Sequence, residues 1–162
     1  MAINIPLALA NANSHRLSCT KLYVDFPFAH RQHMHDGHCS KIHGHNWSFE
    51  FTFTADHVDS CGFVIDFGKM QWLKGWLTKW FDHTLVLNST DPHLDYIRKS
   101  LDDVPLADIM VVPDASCEGL AKWIFEQVDL LILEHVGVSR GVRLIRVTVK
   151  EDSKNSATWE VL

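Results

Sequence analysis

Alternating apolar and polar positions predict four β-strands in this chain. Residues 22–29 and 47–54 alternate almost without a break, and two further runs lie at 145–150 and near 158–161. Period-two alternation predicts half-buried strands, because successive side chains point to opposite faces. In the first strand this period predicts one shared face for Leu22, Val24, Phe26 and Phe28. Residues 152–156 are typical of a hairpin connection between the last two strands.

A period of three to four predicts two amphipathic helices between these strand pairs. The first helix follows Asp66, a predicted N-cap, and the second opens at Ser116. A connection rich in Asp and Pro spans residues 88–115, within which residues 92–101 are compatible with a short helix. The order strand, strand, helix, helix, strand, strand predicts an α+β fold, with a four-stranded antiparallel sheet carrying both helices on one face.

Composition restricts the class of protein. The 162 residues are 46% hydrophobic and 22% charged, which suits one globular domain over residues 19–162 after an N-terminal extension, residues 1–18. The start of that extension lacks the basic region of a signal peptide, and Pro6 interrupts its apolar stretch. No apolar run approaches the roughly 18 residues of a membrane span.

Charge and cysteine usage narrow the class further. The net charge of −5, without a basic run, argues against nucleic-acid binding. The four cysteines are widely spaced and form no C-x-x-C pair, which is typical of a protein of the reducing cytoplasm.

Histidines concentrate where the first two predicted strands meet. His43 and His45 are two residues apart, so their imidazoles share one strand face, and His30 ends the preceding strand. If these strands pair, three imidazoles converge. Three nitrogen ligands with an open fourth position describe a catalytic zinc site. Cys39 lies four residues before His43, and a thiol near a divalent cation is expected to have a lowered pKa and to act as a base.

The Asp82–His83 pair and Glu151 indicate a site only when they are considered together with the other motifs. Asp82 and His83 follow the first helix, where a histidine is common because the helix dipole favours it. Glu151 ends the third strand, and a glutamate there is usually solvated. Taken alone, neither feature identifies a site.

Together these motifs resemble the 6-pyruvoyltetrahydropterin synthase superfamily. The resemblance rests on the Cys-x-x-x-His-Gly-His string, the Phe-Ala before His30, Asp82-His83 and the Val-Lys-Glu that ends at Glu151, and it covers roughly residues 22 to 162. The short gap between Cys39 and His43 is similar to that of the bacterial branch, the 6-carboxytetrahydropterin synthases.

The resemblance implies a fold, an assembly and an activity. The fold is the T-fold, in which subunits join their sheets into a barrel, here as a homohexamer made of two trimers. The expected reaction converts 7,8-dihydroneopterin triphosphate to 6-carboxy-5,6,7,8-tetrahydropterin, acetaldehyde and triphosphate, a step of queuosine biosynthesis. The expected partner is therefore a small-molecule pterin triphosphate, with neither nucleic acid nor membrane.

The resemblance also implies roles for individual residues. Zn²⁺ would be held by His30, His43 and His45, and proton transfer would involve Cys39, His83 and Asp82. Glu151 would anchor the pterin ring by accepting two adjacent N–H groups. The segment Ser116, Cys117 and Glu118 would line the pterin pocket. Family members often carry a Thr-rich Pro-Thr-x-Glu type of entry here; Ser116 keeps a hydroxyl, but Ala115 and Cys117 depart from that pattern. Arg31 and the loop histidines His33, His35 and His38 are unranked candidates for holding the phosphates.

Three alternatives remain open. A 6-pyruvoyltetrahydropterin synthase would use the same scaffold but process the side chain differently. A zinc hydrolase would use the H-x-H pair, but the usual H-x-H-x-D-H continuation is absent because Asn46, Trp47 and Ser48 follow His45. A non-catalytic zinc-binding module would bind metal without turnover.

Overall fold

The fold consists of six strands and three α-helices among the residues described by the computed structural model, which are 17–102, 104 and 106–161. In chain order these are β1 (Ser18–His30), β2 (His43–Thr54), α1 (Gln71–Phe81), β3 (Thr84–Asn88), α2 (Leu94–Asp102), β4 (Asp108–Val112), α3 (Cys117–His135), β5 (Arg143–Lys150) and β6 (Ser156–Glu160). Short 3₁₀ turns lie at His38–Ser40 and Phe67–Lys69. The predicted N-terminal extension lies outside the described residues as far as residue 16.

The strands form one mixed sheet in the order β4-β3-β1-β2-β5-β6. The four strands β1, β2, β5 and β6 pair antiparallel, whereas β3 runs parallel to β1 and β4 runs parallel to β3. The α+β class is confirmed. The predicted four-stranded antiparallel sheet with two helices was too small, since the connection between the two main helices contributes two strands and α2.

The two missed strands carry no alternation. All five residues of β3 are buried, so both faces of this strand are covered and it is a continuous apolar run in the sequence. Parallel strands covered on both sides typically show such runs, which period-two patterning does not detect. The helix compatible with residues 92–101 is present as α2, and it forms the crossover between β3 and β4.

One face of the sheet carries the core and both long helices. Trp47, Phe49, Phe51 and Phe53 of β2 are fully buried. Phe49 contacts Phe81 of α1, with ring centroids 5.0 Å apart. Trp76 of α1 stacks on Trp123 of α3 at 5.7 Å, so the two helices cover this face side by side.

The opposite face of the antiparallel strands is polar. Thr20 pairs with Thr52 through their hydroxyls at 3.1 Å, and Thr148 pairs with Thr158 at 2.8 Å. Salt bridges of Arg146 to Glu160 and Lys150 to Glu50 lie in the same rows of the pleat. Apolar residues facing one way and threonines and ion pairs facing the other explain why these four strands alternate so clearly in the sequence.

A β-bulge divides β1 into two halves. Before the bulge the odd-numbered residues face the core, and after it the even-numbered residues do. The pairing with β2 shifts between Tyr23 and Phe26, and Asp25 in the bulge has a φ of 65°. The predicted shared face of Leu22, Val24, Phe26 and Phe28 is therefore wrong. Leu22 and Val24 are 47% and 52% exposed, while Tyr23, Phe26 and Phe28 are buried. An extra residue in one strand moves every following side chain to the other face.

We expect Asp25→Val to destabilise the protein. A β-branched residue at positive φ is strained by about 1–3 kcal/mol, and the hydrogen bond from Asn46 Nδ2 to Asp25 Oδ1 at 3.1 Å is lost. The free energy of unfolding, measured by urea denaturation, should fall accordingly. Asp25→Asn is the control, because asparagine tolerates this conformation and retains an acceptor oxygen. Equal losses in both variants would contradict a backbone origin of the effect.

Candidate metal centre and active site

Three histidines meet at the end of the β1–β2 ladder. His30 is the last residue of β1 and pairs directly with His43, the first residue of β2. The ring centroids of His30 and His43 lie 4.6 Å apart, and those of His43 and His45 lie 5.1 Å apart. All three rings are on the face that carries the core, and Trp47 closes the cluster with its ring edge-on to His30 at 4.9 Å. The structure thus brings together the three predicted metal ligands.

Backbone carbonyls fix which nitrogen two of these rings present. His30 Nδ1 lies 2.9 Å from the carbonyl oxygen of Ala115, and His43 Nδ1 lies 2.8 Å from that of Lys41. Because a carbonyl oxygen only accepts, Nδ1 carries the proton in both rings. In the neutral ring, Nε2 then keeps a free lone pair. Such carbonyl contacts are the usual outer support of metal-bound histidines.

Glu151 joins the three histidines in the cluster. It directly follows β5, which pairs with β2, and its Oε1 lies 3.1 Å from His30 Nε2 and 3.3 Å from His45 Nε2. Its backbone is held by a turn in which Glu151 N donates to Asn155 O, while Asp152 accepts from the amides of Lys154 and Asn155. These amide bonds lower the pKa of Asp152.

The four side chains fit a divalent cation. One ligand atom from each of His30, His43, His45 and Glu151 lies within 4.8 Å of all the others. His30 Nε2 and His45 Nε2 are buried and make no hydrogen bond within the described part of the chain. Burial lowers the pKa of His30, and His43 and His45 lower it further, while the bond to Ala115 and the Glu151 carboxylate oppose this shift; the net lowering favours the neutral ligand form. Imidazole nitrogens with one carboxylate suit zinc among the common metals.

Cys39 lies in the loop between the two histidine-bearing strands. Its backbone is held by Gln32, whose amide donates to Cys39 O at 2.8 Å, and the side chain of Gln32 donates to Asp114 at 3.2 Å. The thiol is free and partly buried. Among the described residues it forms no hydrogen bond with Asp82 or His83.

Asp82 and His83 contact each other at the end of α1. His83 Nδ1 donates to Asp82 Oδ1 at 2.7 Å, and the imidazole side chain is 81% exposed. His83 has a φ of 58°, and its amide donates to Pro27 O at 2.8 Å. Positive φ at a non-glycine residue is uncommon and concentrates at functional positions. His83 lines a cavity of about 570 Å³ with Pro27, Ala29, Gly44 and Asn46, which lie on the sheet face opposite His30 and His43.

The segment that opens α3 borders the cluster through its backbone. Ser116 is the N-cap and accepts from Gly119 N at 2.9 Å, so its hydroxyl oxygen is already used by the helix. Glu118 is exposed. The Cys117 thiol donates to Val149 O at 3.2 Å, two residues before Glu151. Burial, with the nearby Glu151 and Glu118 carboxylates, raises the pKa of Cys117 to about 12.

The contact between Arg31 and Asp91 was not foreseen from the sequence. Arg31, next to His30, has its Nε 3.1 Å from Asp91 Oδ2, and the Asp91 side chain is fully buried. Asp91 also accepts from the amide of His93 at the start of α2. The ion pair therefore ties the end of β1 to the α2 crossover. No local signal could have identified it, because the two residues are distant in sequence.

The fold and the cluster together define a T-fold protein with a centre of three histidines and one carboxylate. Residues 19–161 match the family model described as 6-pyruvoyl tetrahydropterin synthase. The chain belongs to this family. A Plasmodium vivax 6-pyruvoyltetrahydropterin synthase variant matches 88% of this chain and 97% of its own at a TM-score of 0.63 and 20% identity.

Other similar proteins agree on the fold and the family. An uncharacterised Wolinella succinogenes protein matches 91% of this chain and 99% of its own, with a TM-score of 0.75 at 18% identity. A Rickettsia bellii protein named 6-carboxy-5,6,7,8-tetrahydropterin synthase is 37% identical over 79 residues, which is 48% of this chain and 56% of that protein. A Halobacterium salinarum protein with the same name, marked probable, is 33% identical over 56% of this chain and 57% of its own. The chain thus spans about half the length of these curated relatives.

No helix in the described part of the chain is both long enough and apolar enough to cross a membrane.

We expect the Cys117 thiol to resist alkylation in the folded protein. At about pH 8, a thiol with a pKa of about 12 has roughly a thousandfold less thiolate than an ordinary cysteine, and only the thiolate reacts. Iodoacetamide labelling followed by peptide mass spectrometry should modify exposed Cys61 first and Cys117 last. In urea both should react at similar rates. Comparable native labelling of both cysteines would contradict the buried, hydrogen-bonded environment.

Proposed function

We propose that this protein is a zinc-dependent 6-carboxytetrahydropterin synthase. It converts 7,8-dihydroneopterin triphosphate to 6-carboxy-5,6,7,8-tetrahydropterin, acetaldehyde and triphosphate, in the cytoplasm and as a step of queuosine biosynthesis. The observation that carries the proposal is the convergence of His30, His43 and His45 on one strand end, in a chain of this family. The names of the Rickettsia and Halobacterium relatives support the choice of product.

The three histidines would hold the metal through nitrogens aligned by the fold. For His30 and His43 the Ala115 and Lys41 carbonyls keep Nδ1 protonated, which leaves Nε2 as the atom that would bind the cation. When bound, zinc supplies Lewis acidity toward the side-chain hydroxyls of the substrate and makes the neighbouring C–H protons easier to remove. Trp47 and the core beneath it keep the rings in place.

Cys39 and the Asp82–His83 pair carry the proton transfers. Cys39, as thiolate, takes a proton from the substrate side chain on its sulfur. His83 exchanges a proton at Nε2, because its Nδ1 is engaged with Asp82 at 2.7 Å. The carboxylate thereby holds the tautomer and orientation of the imidazole.

Glu151 recognises the pterin ring. Its carboxylate accepts two adjacent N–H groups of the aminopyrimidine in a charge-assisted pair, which selects a pterin over most flat rings. Backbone groups around Ser116 and Cys117 border the ring, since the Ser116 oxygen caps α3 and the Cys117 thiol is bonded to Val149. Glu118 adds negative charge at the helix N-terminus.

The proposed assembly is a homohexamer of two trimers. β1 pairs with β3 only at Ala29 and His30, so most of that edge has no strand partner among the described residues. The outer edge of β6 is likewise unpaired in the described chain. A groove of about 550 Å³ along β1 and α1 borders the first edge. Pairing β1 of one copy with β6 of the next would remove both edges and close a ring.

The zinc-loaded protein is expected to release acetaldehyde and a 6-carboxytetrahydropterin from 7,8-dihydroneopterin triphosphate. Product mass spectrometry with an acetaldehyde assay checks this. Cys39→Ala should reduce turnover about 100-fold or more, as for a lost general base, while its zinc content stays that of the wild type. A 6-pyruvoyl product without acetaldehyde would move the protein to the other synthase. No turnover by folded, metal-containing protein would refute the enzyme and favour a binding module.

In solution the protein should have six times the mass of a single chain. Size-exclusion chromatography with light scattering measures this directly. Dilution should reveal trimers before monomers, because continuous strand pairing joins the copies within a trimer. A monomer at all concentrations would contradict the proposed closure of the β1 and β6 edges.

A further inference from the structure

The Glu151 carboxylate cannot bind the pterin ring through both oxygens and contact the histidine cluster at the same time. Recognition of an aminopyrimidine uses both carboxylate oxygens, one for each N–H group. In the structure, however, Oε1 faces the histidine cluster, at 3.1 Å from His30 Nε2 and 3.3 Å from His45 Nε2. The side chain therefore has two possible partners on neighbouring sides.

The contacts with the histidines have the spacing of metal ligands. Ligands about 2.0–2.1 Å from a tetrahedral zinc lie about 3.3–3.4 Å from one another. The two Glu151 distances, 3.1 and 3.3 Å, are close to that edge length. Both His30 Nε2 and His45 Nε2 are buried, and neither makes a hydrogen bond to any of the residues that the structure describes. A shared cation would satisfy the two nitrogens and the carboxylate together.

The backbone supports a change of partner by the side chain alone. Asp152 accepts two amides in the turn after β5, and Glu151 N donates to Asn155 O, so the position of the Glu151 main chain is set. The Glu151 side chain is 20% exposed and borders the opening of the cluster. Rotation about its side-chain bonds is therefore sufficient to move the carboxylate between partners.

We propose that Glu151 is the fourth metal ligand when the pterin site is empty, and that the arriving pterin ring takes this carboxylate and opens a coordination position. The site then has two states: closed, with three histidines and one carboxylate, and open, with three histidines. Closed four-ligand sites are typical of structural zinc, and open ones of catalytic zinc. The open, three-histidine state therefore forms only when the pterin ring is bound to Glu151. This inference relies on the proposed function only for the identity of that ring.

Metal and pterin should consequently oppose each other through Glu151. Reciprocity requires that a pterin which removes the fourth ligand lowers zinc affinity, and that zinc lowers the affinity for the same pterin. The suitable probe is unsubstituted pterin, because it presents the aminopyrimidine edge but has no side-chain hydroxyls to bind the metal.

The first measurement is zinc affinity, by competition with a chromophoric chelator on the full metal-depleted chain. Glu151→Gln should weaken zinc binding by about tenfold or more, the scale on which support of a metal site is usually lost. The control is Glu126→Gln on α3, since Glu126 is 53% exposed and lies 4.0 Å from Lys122; it should bind zinc as the wild type does. Circular dichroism of each variant verifies folding, and Glu151→Asp, which keeps the charge, should fall between the two.

The second measurement adds pterin. Wild-type zinc affinity should fall several-fold at saturating pterin, and Glu151→Gln should show no such change. In cobalt-substituted protein, pterin should alter the visible absorption of the wild type only. Equal zinc affinity of wild type and folded Glu151→Gln would overturn the fourth-ligand role. Zinc affinity unaffected by pterin that demonstrably binds would overturn the exchange.

These outcomes are independent of the turnover assay. A protein that fails to convert 7,8-dihydroneopterin triphosphate but loses zinc affinity in Glu151→Gln would refute the proposed reaction and retain the fourth ligand. Normal turnover by the wild type, with zinc affinity unchanged in Glu151→Gln, would support the proposed reaction and refute the fourth ligand.

Discussion

The bulge at Asp25 is the constraint on which the site depends. A strand side chain changes face with every residue, so Tyr23 and His30 would face opposite sides of a regular β1. One extra residue between them places both on the core face, where His30 meets His43 across the ladder. The bulge uses an aspartate at positive φ and the amide of Asn46 to hold it. Local irregularity in one strand thus makes a three-histidine cluster geometrically possible.

The side chains of the histidine cluster are then held in position by backbone groups that take no part in the proposed reaction. The carbonyls of Ala115 and Lys41 set the tautomers of His30 and His43, and the Asp152 turn sets the position of Glu151. Because Cys117 bonds to Val149, the start of α3 is attached to the strand that delivers Glu151. Packing elements therefore determine the electrostatics of the site: buried ring nitrogens of His30 and His45 face one carboxylate, an arrangement that favours a cation.

The crossover through β3 and α2 also fixes the positions of His83 and of Arg31, which is next to His30. β3 begins beside His83 and runs parallel to β1, so the strained backbone at His83 is fixed by its amide bond to Pro27. At the other end of β3, buried Asp91 holds Arg31 next to His30. Burying that carboxylate is costly unless a cation accompanies it, which makes the pair a specific link between the crossover and the histidine strand.

The sequence by itself determined the α+β class, the two long helices, four antiparallel strands and the grouping of His43 with His45, because these follow from local periodicity. It did not reveal the bulge at Asp25, since one inserted residue leaves the composition of the strand unchanged. It also missed β3, whose burial on both faces removes alternation, and β4, a short strand in which four apolar residues follow Asp108 without alternation. Only the tertiary structure decided the partners of His30, since Ala115 lies 85 residues away, and the approach of Glu151 to the histidines. Such contacts depend on strand order and helix packing, which no local pattern encodes.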